Sequence, residues 1–259
     1  QGLGAGLLGC RRLAQLSLDL RLDDDKGALQ GISEAGVAGW SRMWRRLALV
    51  EQARLQLDCN RLGGGAAGAL TGLHHCRRLR DLTVSLSGNG ICRSAALVLG
   101  ENLASAPALE KLDVDLRLND LGAWGAAQLF TALKACPSLV AVRLDLSTCG
   151  IVDSGVGVLA EALGGLPPWR LTLVLDGNQI CTASARRLLL RLQKMQSFTL
   201  SCADTPVCGR ELRDALARIT CPSRLVTDSP PPSAPGSTGC SAAGLATGDD
   251  PVGAMQHGL

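Results

Sequence analysis

The sequence is almost without aromatic side chains: 2% of its 259 residues are aromatic, with two Phe and no Tyr. Hydrophobic residues still make up 46% of the chain, so any core it builds is aliphatic, drawn mainly from Leu, Ala and Val. A strong charge bias is also missing. The 26 Lys and Arg stand against 23 Asp and Glu, a formal charge of +3, which is too balanced for a protein whose main work is neutralising nucleic-acid phosphates. No apolar run reaches the roughly 18–20 residues that span a bilayer. The opening QGLGAGLLGCRR lacks the signal-peptide order of basic end, apolar stretch and cleavage site. The expectation is a soluble protein that contacts neither membrane nor nucleic acid. The chain begins with Gln1 rather than Met, which reads as a processed chain or a fragment of a longer one.

Catalytic and cofactor signatures are equally sparse. There is no GxxxxGK[ST] phosphate loop, and Gly63 to Gly65 read as loop residues after a strand. The three histidines are His74, His75 and His257, and no segment brings one of them together with a Ser or Cys and an orienting acid. The expectation is a non-enzyme with no cofactor, no metal and no small-molecule substrate.

Eleven cysteines invite a disulfide or zinc reading, but their placement argues against it. Cys10, Cys76 and Cys136 each sit three residues before a leading Leu, and Cys92 and Cys181 share another phase of the repeat described below. Strands lie about 4.8 Å apart and a disulfide needs Cα atoms within about 7 Å, so same-phase cysteines could bond only in adjacent units, and none of these are adjacent. Free thiols imply a reducing compartment, so a cytoplasmic location is expected, with the nucleus as the other possibility. The trio Cys202, Cys208 and Cys221 could close a terminal link or hold a metal, yet it lacks CxxC spacing and a local His.

What the sequence has in abundance is a repeat. LEKLDVDLRLNDL at Leu109 to Leu121 recurs as LRDLTVSLSGNGI from Leu79, LVAVRLDLSTCGI from Leu139 and PWRLTLVLDGNQI from Pro168, with a shorter copy, ARLQLDCNRL, from Ala53. The marker positions Asn60, Asn89, Asn119, Cys149 and Asn178 are separated by 29, 30, 30 and 29 residues. A degraded copy puts Thr205 at the marker position 27 residues further on. A weak first copy puts Asp23 there, 37 residues before Asn60, which leaves about eight extra residues around Trp40 to Arg46. Alternating LxLxL is the period of a strand. Leu129, Leu133 and Cys136, like Leu159, Leu163 and Leu166 or Leu188, Leu192 and Met195, then follow at helical spacing. Each unit is a strand, a loop and a returning helix. Such a unit cannot bury enough of its own leucines to fold alone, so the units must stack.

This pattern resembles the leucine-rich repeat of the ribonuclease-inhibitor-like class, which also occurs in the carboxyl-terminal arrays of innate-immune nucleotide-binding receptors. The extra alternating position, LxxLxLxLxxN, is similar to arrays of many protists. The resemblance covers roughly Leu13 to Ile219. It implies an α/β leucine-rich-repeat solenoid, a horseshoe with parallel strands on the concave face and helices on the convex face. Residues 1–220 would form about seven units with an insertion near 32–48, and 221–259, rich in Pro, Gly and Ser, would be a disordered tail. It further implies that Asn60, Asn89, Asn119 and Asn178, with Cys149 as a variant, turn inward as a structural ladder that satisfies backbone groups. As function it implies a protein-protein interaction scaffold. Two alternatives are a GTPase-activating regulator, since the activators of Ran resemble this class too, and the sensor array of a larger receptor-like protein.

Residues that alternate with the apolar ones would face a partner on the concave side. They are Lys111, Asp113, Asp115 and Arg117 in the fourth unit, Arg143, Asp145 and Ser147 in the fifth, and Arg170, Thr172 and Asp176 in the sixth. Earlier units add Asp19, Arg21, Arg54, Asp58, Asp81, Thr83 and Ser85. These could equally be solvated strand residues paired across strands. In GWSRMWRRL, Trp40 and Trp44 either pack a helix across the insertion or form a protruding contact, and burial is the favoured reading. Trp124 and Trp169 read as core or loop fillers.

Overall fold

The computed structural model describes residues 12–22, 32, 34–37, 39–207, 209–217 and 221–227. Eight strands form one open sheet in strictly sequential order: β1 (Gln15–Asp19), β2 (Gln52–Gln56), β3 (Asp81–Ser85), β4 (Lys111–Asp115), β5 (Ala141–Asp145), β6 (Arg170–Val174), β7 (Ser197–Ser201) and β8 (Ser223–Val226). Every neighbouring pair is parallel. The chain is an α/β solenoid, the architecture expected from the repeat.

Register follows from the sequence phase. Leu82, Leu112, Val142, Leu171 and Phe198 stand side by side across five strands, as do Val84, Val114, Leu144, Leu173 and Leu200. A third ladder, just past the strand ends, runs through Leu57, Leu86, Leu116, Leu146, Leu175 and Cys202, all fully buried. This third ladder is the work of the extra alternating leucine. A one-residue slip would turn every ladder to solvent, so burial locks the register.

Returning helices complete the units: α3 (Arg93–Ala104), α4 (Gly122–Leu133), α5 (Asp153–Gly164), α6 (Thr182–Leu192) and α7 (Gly209–Leu216). Leu99 and Leu103, Leu129 and Leu133, Leu159 and Leu163, Leu188 and Leu192, and Leu212 are buried with the strand ladders in one continuous apolar cluster. Successive helices also pack on each other. Small residues set their spacing: a Cβ added at Gly155 would lie 2.6 Å from that of Ala123 on the preceding helix. Between β2 and β3 the chain forms two 3-10 segments, Gly63–Leu70 and Leu73–His75, in place of an α-helix. The run GGGAAGAL is poor in helix propensity, which accounts for the difference; Gly63 to Gly65 open the first segment rather than forming a loop.

The insertion is a packed element. Helices α1 (Glu34–Val37) and α2 (Trp40–Arg46) connect β1 to β2 and contact the Gly63–Leu70 segment. Trp40 and Trp44 are buried, as favoured, and the Trp44 indole Nε1 donates to the Ala69 carbonyl at 2.8 Å. Gly72, at φ +105°, lets the turn between the two 3-10 segments approach Ser41 so closely that a Cβ would sit 3.1 Å from the Ser41 backbone.

At the other end the sheet runs one strand beyond the expected seven. β8 lies inside the stretch read as the start of a disordered tail, and pairs Phe198 with Ser223 through Ser201 with Val226. Its residues are only partly buried, except Arg224, which is exposed. Residues 228–259, and with them the remainder of that tail, lie outside the described residues, as do Cys10, Asp23 and Cys208. Among the described residues no helix is long and apolar enough to cross a membrane.

Candidate interaction surface

The marker asparagines form a buried ladder along the strand-to-helix loops. The Asn119 amide donates to the carbonyls of Leu86 at 3.0 Å, Leu116 at 2.8 Å and Arg117 at 3.1 Å, while its Oδ1 accepts from the backbone N–H of Asn89 and of Ile91. Asn178 repeats this with Leu146, Leu175 and Asp176 as acceptors and Cys149 and Ile151 as donors. Asn89 reaches Leu57 and Ser87, and its Oδ1 takes the N–H of Asn60 and Leu62. Asn60 closes the series on Leu20, Leu57 and Asp58, accepting from Ile32 in the insertion. At Cys149 the thiol donates to the Leu116 carbonyl at 3.1 Å, and at Thr205 the hydroxyl donates to Cys202 at 2.5 Å. The four asparagines and Cys149 link each unit to its neighbour and are buried, whereas half-buried Thr205 bonds only within its own unit.

The sheet's outer face carries the residues that alternate with the ladders. Its amino-terminal half is a shallow depression of about 630 Å³ spread over β3 to β8. Lys111 and Asp81 stand 3.5 Å apart there, and Arg143 and Asp113 3.6 Å. Arg170 donates to the neutral Gln196 at 3.2 Å. Burial pushes the Asp113 carboxyl above its usual range, against the pull of Arg143.

The carboxyl-terminal half is acidic and internally bonded. Asp58 accepts from the Ser85 hydroxyl at 2.5 Å and the Ser87 N–H at 2.9 Å; Asp176 accepts from Ser201 at 2.7 Å and the Ala203 N–H at 2.8 Å. Each carboxylate thus ties one strand end to the next. Arg117 folds back on Asp115 through Nε at 3.0 Å and Nη2 at 2.7 Å, as Arg21 does on Asp19. The hydrogen bonds from Arg21 hold the Asp19 carboxyl below its ordinary value.

Asp145 departs from the reading of a partner-facing residue. It is only 8% exposed, accepts from the Ser147 hydroxyl and N–H, and lies 4.0 Å from Arg117 and 3.7 Å from Arg143. Burial raises its pKa, opposed by the Ser147 hydrogen bonds. Arg117 from the preceding unit and Arg143 from its own strand flank it, which alternation along the sequence does not reveal.

Two features escaped the sequence reading. Arg224 joins the depression because β8 extends the sheet; the alternation of Arg224 and Leu225 was its only signal. Trp124, third in α4, is 48% exposed with the Arg93 guanidinium 5.0 Å over its ring, whereas Trp169 is buried at 2%. Cys76, Cys149 and Cys202 are buried thiols whose pKa burial pushes up to about 12. Cys92, Cys136, Cys181 and Cys221 are also free, whereas Cys59 is disulfide-bonded, which departs from the all-thiol expectation.

No protein-family model matches the chain, and comparison with curated proteins finds no similar sequence. Fold and surface chemistry therefore carry the functional reading.

Proposed function

We propose that the chain is a non-enzymatic interaction scaffold of the leucine-rich-repeat type, and that it binds a protein partner on the outer, concave face of its sheet. The observation that carries this reading is the contrast between the two faces. The inner face is a sealed aliphatic core, while the outer face presents exposed Arg54, Lys111, Arg143, Arg170 and Arg224 among hydroxyl and carboxylate groups. Eight strands at about 4.8 Å spread that face over roughly 34 Å, the scale of a protein interface. The repeat spacing and the asparagine ladder support membership of the leucine-rich-repeat class, and mixed charge suits selective steering of a partner.

The test exchanges charge on the face without changing net charge. Lys111→Glu with Asp113→Lys should abolish enrichment of a captured protein, whereas Glu101→Lys with Arg186→Glu on the helical side should leave it intact. Asp145 is kept out of the swap, because a cation there would be buried between Arg117 and Arg143. Retention by the face variant together with loss by the helical variant would overturn the proposal, as would a capture in which nothing is enriched.

A further inference from the structure

The outer face is electrically divided along the strand direction. In the depression, Asp81 and Asp113 on β3 and β4 are each matched by a cation, Lys111 and Arg143. From β5 to β8 its lining contains no carboxylate among the described residues: Arg143, Arg170 and Arg224 stand among Thr172, Ser197 and Thr199. Arg170 is held only by a neutral glutamine, and Arg224 makes no ion pair among the described residues. At the opposite end of the face stand Asp145, last in β5, and Asp176, just past β6, beside Asp115 at the end of β4. A partner lying across the depression therefore meets cations and hydroxyl donors on one side and carboxylates on the other.

We infer that the amino-terminal half of the face over β5 to β8 is a docking site for an extended, carboxylate-rich segment of a partner protein. Guanidinium groups pair carboxylates in fixed, bidentate geometry, and serine and threonine hydroxyls donate to the oxygens left over. The three spacings from β5 to β8 cover about 14 Å, the length of roughly four extended residues; Arg224 shares a register row with Thr172 and Thr199, and Arg170 stands two residues earlier on β6, which puts the two arginines about 12 Å apart. Alternate side chains of an extended segment recur about every 6.7 Å, within reach of two long arginines. The acidic edge repels a segment that strays toward the strand ends and so fixes its lateral position. A nucleic acid suits the site less well, because that acidic edge opposes a phosphate backbone and, among the described residues, no exposed aromatic side chain stands on this face of the sheet to stack a base.

The inference rests on the outer face being the recognition surface, and its test separates the two. Anisotropy of a fluorescein-labelled octaglutamate peptide is titrated with the full chain at low salt, beside octaglutamine and a single-stranded octathymidylate. The expected result is binding of octaglutamate alone, weakened about tenfold by Arg170→Gln with Arg224→Gln, since each exposed ion pair contributes a few-fold. Arg186→Gln with Arg187→Gln removes the same charge from exposed positions of α6 on the helical side and should change nothing. Equal weakening by both pairs, no binding of octaglutamate, or tighter binding of the oligonucleotide would overturn the inference. If octaglutamate fails while the Lys111 and Asp113 exchange still abolishes partner capture, the scaffold reading stands and the acidic segment falls. If neither responds, both fall.

Discussion

Asn119→Ala is expected to lower the stability of the protein by about 3–5 kcal/mol, the largest effect of any single polar substitution in the array. The Asn119 side chain is 6% exposed and serves five backbone groups in two successive units. Removing it strands the Leu86 carbonyl and the N–H groups of Asn89 and Ile91, while the carbonyls of Leu116 and Arg117 keep the Cys149 thiol and the Gly88 N–H as donors. Each buried group left without a partner costs about 1–3 kcal/mol, and water entering the truncated site offsets part of the sum. Asn119→Cys should fall between wild type and Ala, because the Cys149 thiol already makes the corresponding bond to Leu116. Urea unfolding followed by circular dichroism measures the series. A loss below about 1 kcal/mol for Asn119→Ala would mean that the ladder is not what holds neighbouring loops together.

Trp44→Ala should cost about 3–5 kcal/mol, through the cavity left by a large, fully buried ring. The damage should be local. Trp44 joins the insertion to the Gly63–Leu70 segment by its indole bond to Ala69, and its own carbonyl accepts from the Cys76 thiol at 3.5 Å. Stability of a stacked array is a sum over neighbouring interfaces, so the β1–β2 end should open while β4 to β7 keep their protection. Hydrogen exchange read by mass spectrometry would show faster exchange in β1, α2 and β2 and little change beyond β3. Uniform acceleration across the sheet, or none, would contradict this placement of the insertion.

The repeat made most of the scaffold legible. Marker intervals of 29, 30, 30 and 29 residues reappear as the offsets between successive strands from β2 to β6, because each unit must return the chain to the same edge. Alternation also matches exposure at Arg143 and burial at Leu144. Less was legible where a single segment does not hold the information. Asp145 alternates outward yet is flanked by arginines from its own strand and the preceding unit. β8 has four residues and follows a break in composition, so its hydrogen bonding to β7 outweighed a sequence that read as tail. The Gly63–Leu70 segment keeps the repeat length but lacks the propensity for an α-helix. Trp124 lies on the solvent side of a helix whose buried face is filled by alanines and leucines, so the ring had no inward place to occupy.

The account depends most on eight strands stacked in chain order. Pulsed electron-electron resonance tests this directly, with one spin label at Ser17 on β1 and the second at Arg143 on β5, Thr172 on β6 or Thr199 on β7. Four, five and six strand spacings give backbone separations of about 19, 24 and 29 Å, shortened somewhat by curvature but always increasing in that order. Distances that fail to lengthen from β5 to β7 would contradict a sequential stack.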